Sequence, residues 1–410
     1  MSKKILFITT NYWPEPTGIA VYTSDLTKKL SSAGYQISVL TGLPHYPWWK
    51  VPDKFSNILE GKSVINGINL YRVKHWIPPT MNGLKRISFE FSLWWNLRRI
   101  SRIFLPSDFD VVVACIPAVA AGIIGSRIAK NLGVPFGLIV QDLSGVGAKQ
   151  SGLQGGFLIS KLAQFIETFA LHGADALVVV SPIMKELIEK EVVAKERITQ
   201  ISNYSAREIT IIDRAAARVK FGWSLDMFIV IHAGNMGAKQ DLVNVIRASE
   251  LLKEPSKIRI YLVGHGNQES KLKSLCRNKK NIFILPAVSE EDFSALLSAA
   301  DLLLVNERIT QMDMSLPSKL TSYLFSGKPV LASVPPQGAT WKYLDGIAEL
   351  VEAGDPMALA RKIEELSKSP NRLKVTSDLG YKFAKENLDA EKGRQKYLNW
   401  VSELLKMKTF

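Results

Sequence analysis

The feature that most constrains the fold is an alternation of short apolar runs with longer amphipathic ones, separated by glycine. Residues 5–9 are predicted to be a buried strand, and 19–33 a helix that ends at Gly34. A second strand is predicted at 36–41. A strand, a glycine-bearing loop, a helix and another strand form a βαβ unit, so the chain is predicted to be an α/β protein.

The same alternation ends and then starts again, which predicts two domains. The first series is complete by Asn203-Tyr204, a charged stretch at 207–218 is predicted to be the linker, and a new strand begins at 227–232. We therefore expect two Rossmann-like, doubly wound domains at 1–205 and 206–389. A last helix at 390–410 is expected to pack back onto the first domain.

Composition excludes several classes of protein. The 410 residues are 47% hydrophobic and 22% charged, as in an ordinary globular protein. Two cysteines, Cys115 and Cys276, provide neither a disulfide framework nor metal-ligand spacing, which indicates a reducing cytoplasm. The longest apolar stretch, 111–125, is shorter than the roughly 20 residues of a membrane-spanning helix, so we predict no transmembrane segment. A net charge of +14 favours polyanions: nucleic acid, anionic lipid or phosphate-bearing substrates.

Three stretches of the second half are predicted to meet at one edge of its sheet. Residues 234–239 and Gly264-His-Gly266 each follow a strand, and 315–319 open a helix after a later strand, with Ser315 or Ser318 as its cap. Two lysines, Lys239 and Lys319, accompany the helix N-terminus. Cations and a helix N-terminus are what a diphosphate leaving group requires, because negative charge grows on it as its bond breaks.

Loops of the first half supply further candidate side chains. Glu15 and Gly18 follow the first strand, either beside a ligand or in a structural turn. His45 is a candidate substrate contact or general acid/base, although a lone loop histidine is more often neither. Asp142 lies at the carboxyl end of a strand, and we interpret the glycine-rich loop 144–156 as a lid, because it lacks phosphate-loop spacing.

One predicted helix, 83–105, has an unusual composition. Apolar residues recur in it at helical spacing, and another side carries Trp95, Arg98, Arg99 and Arg102. Arginine beside tryptophan suits a membrane surface; the alternative is a helix packed on the sheet with solvated arginines.

Motifs that span nearly the whole chain carry a resemblance to a known family. They are Tyr12-Trp-Pro-Glu-Pro-Thr-Gly18, Pro44-His-Tyr-Pro47, Val140-Gln-Asp142, Ala174-Asp-Ala-Leu-Val-Val-Val-Ser181, Gly264-His-Gly266, and Pro317-Ser-Lys319 with Gly327-Lys-Pro-Val330. With them the sequence resembles the retaining glycosyltransferases of family 4, which have the GT-B fold of two Rossmann-like domains facing a central cleft. It most resembles the branch of bacterial capsule, colanic-acid and O-antigen assembly that includes fucosyl- and N-acetylfucosaminyltransferases.

The resemblance implies a nucleotide-sugar site in the second domain and an acceptor site in the first. Lys239 matches the family's diphosphate-binding lysine, and Ser315 and Leu316 match the backbone amides that hold the phosphates. No metal is expected, because the lysine and the helix end replace it. Retention by front-face attack leaves Asp142 and Glu15 to orient the substrates.

The remaining implied contacts fall into two groups. His45 and Tyr46 are implied as acceptor or lid residues. The other implied donor contacts are Gly18, Gly234, Asn235, Gly264, Gly266, Lys319 and Ser322.

Two departures from the family leave the donor's identity open. The family's paired glutamates fall at Met314 and Ser322, so ribose recognition passes to Ser322 or Asp313, or is weaker. The arginine that usually precedes the lysine is absent, with Asn235 nearby.

The resemblance implies a hexosyl or deoxyhexosyl transferase that needs no cofactor or metal. Its donor would be UDP- or GDP-linked, and its acceptor a polyprenyl-diphosphate-linked saccharide. We expect it in the cytoplasm, peripheral to the inner leaflet of the cell membrane through 83–105, and without a nucleic-acid partner. Two alternatives are a nucleotide-sugar epimerase or phosphorylase of similar architecture, and a non-catalytic basic binding protein.

Overall fold

The chain divides into two compact units, each with its own sheet. One unit comprises Met1–Ala206 and Ala390–Phe410, and the other Arg207–Asp389. The computed structural model describes residues 2–16, 18–58, 60–79, 83–117, 119–143, 157–191, 194–204, 208–310 and 316–407.

The first unit holds an eight-stranded sheet in the order β3-β4-β2-β1-β5-β6-β7-β8, parallel except for the pair β3–β4. Chain order reverses beside β1, as in doubly wound sheets. The register aligns Thr9 with both Thr41 and Cys115, so the loops after β1, β2 and β5 start at one level. The strands are β1 Lys4–Thr9, β2 Gln36–Gly42, β3 Gly61–Ile65, β4 Ile68–Val73, β5 Val111–Ile116, β6 Phe136–Val140, β7 Ala176–Val179 and β8 Ile198–Gln200.

Helices cover this sheet because each buries an apolar stripe against it. They are α1 Ile19–Ser32, α2 Gly83–Ser101, α3 Val119–Leu132, α4 Phe157–His172, α5 Pro182–Glu191 and, from the C-terminus, α14 Ala390–Leu404. On α14, Trp400 and Leu404 are buried over β6, where Gly137 makes room for them: a Cβ there would lie 2.5 Å from the Leu404 side chain.

The second unit holds a parallel six-stranded sheet in the order β11-β10-β9-β12-β13-β14. Its strands are β9 Phe228–Ala233, β10 Ile258–Val263, β11 Ile282–Leu285, β12 Leu302–Asn306, β13 Val330–Val334 and β14 Glu349–Glu352. Its helices are α6 Arg214–Phe221, α7 Leu242–Glu250, α8 Glu269–Cys276, α9 Glu290–Ala299, α10 Ser318–Phe325, α11 Ala339–Leu344, α12 Pro356–Ser367 and α13 Pro370–Asn387. Two doubly wound sheets, one parallel and the other parallel except for the pair β3–β4, confirm the predicted α/β fold class.

The prediction of a charged linker at 207–218 was partly wrong, because the structure begins α6 within it. Asp213 caps this helix by accepting a hydrogen bond from the amide of Ala216. The fully buried Arg218 donates to the carbonyls of Ala299 (2.9 Å) and Met227 (2.8 Å) and pairs with Asp301. A guanidinium is tolerated in a core when each of its nitrogens donates a hydrogen bond. Part of the stretch predicted to be a linker is therefore packed into the second unit.

Candidate active site

The carboxyl edge of the second sheet brings two glycine loops into direct contact. Ala233 pairs with Val263, so Gly234 and Gly264 leave β9 and β10 at the same level, with φ of +143° and +148°. A Cβ on Gly264 would lie 1.9 Å from the Gly234 carbonyl oxygen, and one on Gly266 would lie 2.4 Å from that of Met236. These glycines are therefore required by the packing of the two loops against each other.

The start of α10 lies at the same edge but is capped differently from the prediction. Pro317 occupies the N-cap position and supplies no side-chain cap, and Ser318 is the first helical residue. Ser315, implied as a phosphate contact, is outside the described residues, whereas Leu316 directly precedes the cap. A helix that begins without a side-chain cap leaves amide N–H groups for another acceptor.

Lys319 lies beneath the Gly234 loop. A Cβ on Gly234 would be 3.8 Å from the Lys319 ammonium nitrogen, and that nitrogen is 3.4 Å from Nε2 of His232. Burial lowers the pKa of Lys319 to about 8, an effect that the nearby Glu307 carboxylate opposes. His232 is fully buried with Nδ1 3.1 Å from the Leu304 carbonyl oxygen, and burial keeps its pKa well below the ordinary value. A neutral imidazole thus faces the lysine.

Lys239 and Asn235 lie in the loop after β9, and both are exposed. Lys239 belongs to a short 3-10 turn, Ala238–Gln240, and its carbonyl accepts a hydrogen bond from the amide of Arg308 (2.8 Å). Ser322 is buried one turn further along α10, while Asp313 and Met314 are outside the described residues. The structure thus brings Gly234, Asn235, Gly264, Gly266 and Lys319 together.

Three neighbours of this site were missed by the sequence analysis. They are His232 and Glu307 at the ends of β9 and β12, and Tyr323, whose hydroxyl accepts a hydrogen bond from the amide of Ala233 (2.6 Å). The position of His232 and Glu307 at the carboxyl ends of predicted strands was a usable signal. Nothing in the local sequence marks Tyr323, because it reaches β9 from a helix 90 residues away.

At the edge of the first sheet, Glu15 holds the aromatic loop that follows β2. Its Oε1 accepts hydrogen bonds from the amides of His45 (2.7 Å) and Tyr46 (2.8 Å). The carboxyl is buried, and burial raises its pKa to about 7, although the two amide hydrogen bonds oppose the shift. Gly18, with φ +67°, lies below the same loop, since a Cβ there would be 3.3 Å from the Tyr46 ring. Glu15 is thus in a position to shape this loop.

His45 is a buried, neutral ring rather than an exposed one. Its Nδ1 lies 3.0 Å from the Leu43 carbonyl oxygen, and burial lowers its pKa. A second histidine that the sequence analysis missed, His75, packs edge-on against it with ring centroids 4.8 Å apart. Both rings contact Phe89 of α2. Because the two histidines lie in loops 30 residues apart, no local sequence pattern predicts that their rings meet.

Asp142 follows β6 as predicted, whereas the helix predicted at 83–105 is shorter in the structure, because α2 ends at Ser101. Asp142 is exposed after β6, and its Oδ1 accepts a hydrogen bond from the amide of Leu143 (2.9 Å). The proposed lid at 144–156 is outside the described residues. On α2, Leu93 and Leu97 are buried whereas Phe91 and Trp95 are 61% and 55% exposed.

The described residues form neither a metal-ligand cluster nor a membrane-spanning helix. No group of three or more histidine, cysteine, aspartate or glutamate side chains there has the arrangement of a metal site. Likewise, the described helices include none with the length and apolarity to cross a bilayer.

Comparisons with known proteins now identify the family. The model of the glycosyl transferase 4-like domain matches residues 17–204, and that of the glycosyl transferases group 1 matches 213–383. The chain is 28% identical over 413 residues to the putative colanic acid biosynthesis glycosyl transferase WcaI of Escherichia coli K12, covering 97% of this chain and 99% of that protein.

Solved structures show the same fold. Sucrose-phosphate synthase from Thermosynechococcus elongatus aligns with a TM-score of 0.76 at 15% identity, over 98% of this chain and 99% of that one. HepE from Anabaena, in complex with UDP, aligns with a TM-score of 0.70 at 15% identity, over 98% and 100% of the two chains, and has also been solved with UDP-glucose. Two family models that together match both units, and a relative matched over nearly its full length, place this chain in glycosyltransferase family 4, with the GT-B fold.

Proposed function

We propose that this protein is a retaining glycosyltransferase that moves a hexosyl or deoxyhexosyl group from a UDP- or GDP-linked donor to a lipid-linked saccharide in bacterial surface polysaccharide synthesis. The observation that carries the proposal is the carboxyl edge of the second sheet, where Gly234, Gly264, the start of α10 and Lys319 meet. The name of the relative WcaI supports the process, and the UDP complexes of HepE support the donor class.

Each group at this edge has a proposed role. Lys239 and Lys319 neutralise the charge that develops on the departing diphosphate, and the amide of Leu316 holds its oxygens, together with that of Ser315 as the family resemblance implies. The sugar–oxygen bond to the diphosphate breaks as the acceptor hydroxyl forms its bond from the same face, and the departing phosphate takes the hydroxyl proton. Asp142 and Glu15 orient the substrates, and no metal takes part.

The first experiment is thermal unfolding of the protein with UDP, GDP, ADP, dTDP or CMP, without added metal. We expect one nucleoside diphosphate to raise the unfolding midpoint more than the others, which would name the donor class. Absence of any response would contradict the donor site. Release of that nucleotide should then depend on a saccharide acceptor; release without one would favour an epimerase or a phosphorylase of similar architecture.

We further propose that α2 attaches the protein to an anionic membrane surface. Its solvent face presents Phe91 and Trp95, and the Arg98 guanidinium lies 5.4 Å from the centre of the Trp94 ring. Arg99 is partly neutralised by Glu60, 3.7 Å away. Aromatic rings that enter the headgroup layer beside arginines suit such a surface.

Liposomes that contain anionic lipid test this attachment. Replacing Arg98, Arg99 and Arg102 with Gln should weaken binding by about 1 kcal/mol for each arginine near the surface. The matched control removes the same charge from the second unit through Lys271→Gln, Lys273→Gln and Arg277→Gln. Equal binding by both triple variants would disprove attachment through α2.

A further inference from the structure

His232 of β9 is a fully buried histidine in direct contact with Lys319. It lies on a strand that is paired on both sides, with β10 and with β12, so its backbone is held in place. Burial and the charge of Lys319 keep its pKa well below the ordinary value, so the ring is neutral. A neutral imidazole has one nitrogen that donates and one that accepts, so the contacts of the two nitrogens decide what the ring does.

The contacts of the ring favour one tautomer. Nδ1 lies 3.1 Å from the Leu304 carbonyl oxygen, which can only accept, so Nδ1 carries the proton. Nε2 lies 3.4 Å from the Lys319 ammonium nitrogen, which can only donate, so Nε2 presents its lone pair. The backbone of Asn235 also hydrogen-bonds to the ring, but the lysine charge opposes a second proton on it. His232 is therefore an acceptor for Lys319.

The helix that carries Lys319 is attached to the end of β9 at two places one turn apart. The Tyr323 hydroxyl accepts a hydrogen bond from the amide of Ala233 (2.6 Å) and donates one to the carbonyl of the same residue (3.0 Å). Lys319 contacts His232, the residue before Ala233. Residues four apart lie on one face of a helix, so the two contacts together fix the position of α10 along β9.

The Lys319 side chain needs a fixed acceptor because it is long and flexible. It runs along Gly234, where a Cβ would lie 3.7, 3.8 and 3.9 Å from its Cε, Nζ and Cδ. A neutral acceptor orients the ammonium and leaves its full charge for an anion, whereas a carboxylate in contact would offset that charge. Glu307, the carboxylate that acts on Lys319 electrostatically, accepts a hydrogen bond from the Thr340 hydroxyl (2.9 Å).

We propose that His232 is a positioning residue of the donor site: its Nε2 orients the ammonium of Lys319 beneath the Gly234 loop, where that ammonium meets the diphosphate of the donor. The proposal rests on the proposed function in naming the diphosphate. The contact between His232 and Lys319 and the attachment of α10 to β9 are independent of it.

The tautomer of His232 can be measured on the unsubstituted protein without any ligand. Heteronuclear NMR of isotope-labelled histidine should show His232 protonated at Nδ1 and unprotonated at Nε2. A proton on Nε2 would overturn the proposal, because that nitrogen could not then accept from Lys319. The measurement needs no variant, so it decides even where a substitution at this buried position prevents folding.

Two substitutions separate positioning from packing. His232→Gln carries an amide oxygen out to the level of Nε2, whereas His232→Asn ends near Nδ1 and loses the contact with Lys319. We expect His232→Asn to lower the pKa of Lys319, measured by NMR of labelled lysines with Lys319→Met to assign the signal. It should also weaken binding of the stabilising nucleotide about tenfold, as for a lost hydrogen bond to a charged group. His232→Gln should retain both properties, and so should the matched control His172→Asn, at an exposed histidine of α4.

The Lys319→Met background provides the last discrimination. If His232 acts through Lys319, His232→Asn should cost no further nucleotide affinity once the lysine is gone. An equal loss in both backgrounds, or equal losses in His232→Asn and His232→Gln, would overturn the proposal and assign His232 to packing. Absence of a nucleotide response in the parent would reject the donor site alone, while the tautomer and the pKa of Lys319 would still decide the role of His232.

Discussion

The carboxyl edges of the two sheets present different chemical groups. The edge of the second sheet is mainly backbone: glycines in direct contact, the start of α10, and a lysine below them. The edge of the first sheet is mainly side chain, with Glu15, His45 and His75 packed among aromatic rings. Exposed amides suit a diphosphate, and neutral polar groups suit hydroxyls. One topology thus offers two chemistries, because the loops rather than the strands carry them.

The largest expected effect is that of Gly264→Ala, which should abolish nucleotide binding at the edge of the second sheet. A Cβ 1.9 Å from the Gly234 carbonyl oxygen forces the two loops apart, so we expect the nucleotide-induced rise in unfolding midpoint to disappear. Gly61→Ala is the control, because its φ of +125° is also strained but its Cβ would meet nothing within 4 Å. A full nucleotide response in Gly264→Ala would show that loop contact does not shape the site.

Lys239→Ala tests whether charge at the second edge acts on the leaving group. We expect turnover to fall on the order of 10²-fold, as for the loss of other charge-stabilising donors. Steady-state rates with the identified donor measure this, and the exposed Lys271→Ala on α8 provides the control. Equal turnover in Lys239→Ala and the parent would refute the role of Lys239.

Glu15→Gln tests whether the Glu15 carboxyl at the edge of the first sheet is held neutral. The folded pKa of Glu15, about 7, lies above its ordinary 4.5, so its contribution to stability is complete below pH 4.5 and is lost as pH rises through 7. Between pH 4 and pH 8 this amounts to about 2–3 kcal/mol. Glutamine keeps an oxygen for the amides of His45 and Tyr46 and does not titrate. Denaturant unfolding at both pH values should therefore show a smaller loss in Glu15→Gln; an identical loss in both proteins would mean that Glu15 is not held neutral.

The smallest expected effect is the pH dependence of nucleotide binding. Because the pKa of Lys319 is lowered to about 8, its ammonium is present below pH 8 and is lost above it. Affinity for the stabilising nucleotide should therefore weaken above pH 8, by at most about tenfold per pH unit for one proton. Calorimetry of the parent and of Lys319→Met should show this slope in the parent only. A slope retained in Lys319→Met would assign it to another group.

The alternation of apolar runs was enough to predict the fold class and which loops lie at the carboxyl edges, because strand and helix periodicities are local properties of a sequence. Lys319 and Glu15 were accordingly predicted at those edges. Their environments were not predictable: burial lowers the pKa of Lys319, whose ammonium nitrogen lies beside His232, 87 residues away, and the Glu15 carboxyl accepts a hydrogen bond from the amide of His45, 30 residues away. The same limit explains Arg218. Its charge predicted a linker, but in the structure it pairs with Asp301 and donates hydrogen bonds to three loop carbonyls. The sequence by itself determined the order of strands, helices and polar loops; only tertiary packing decided which of those polar groups lose water, because desolvation depends on neighbours that are distant along the chain.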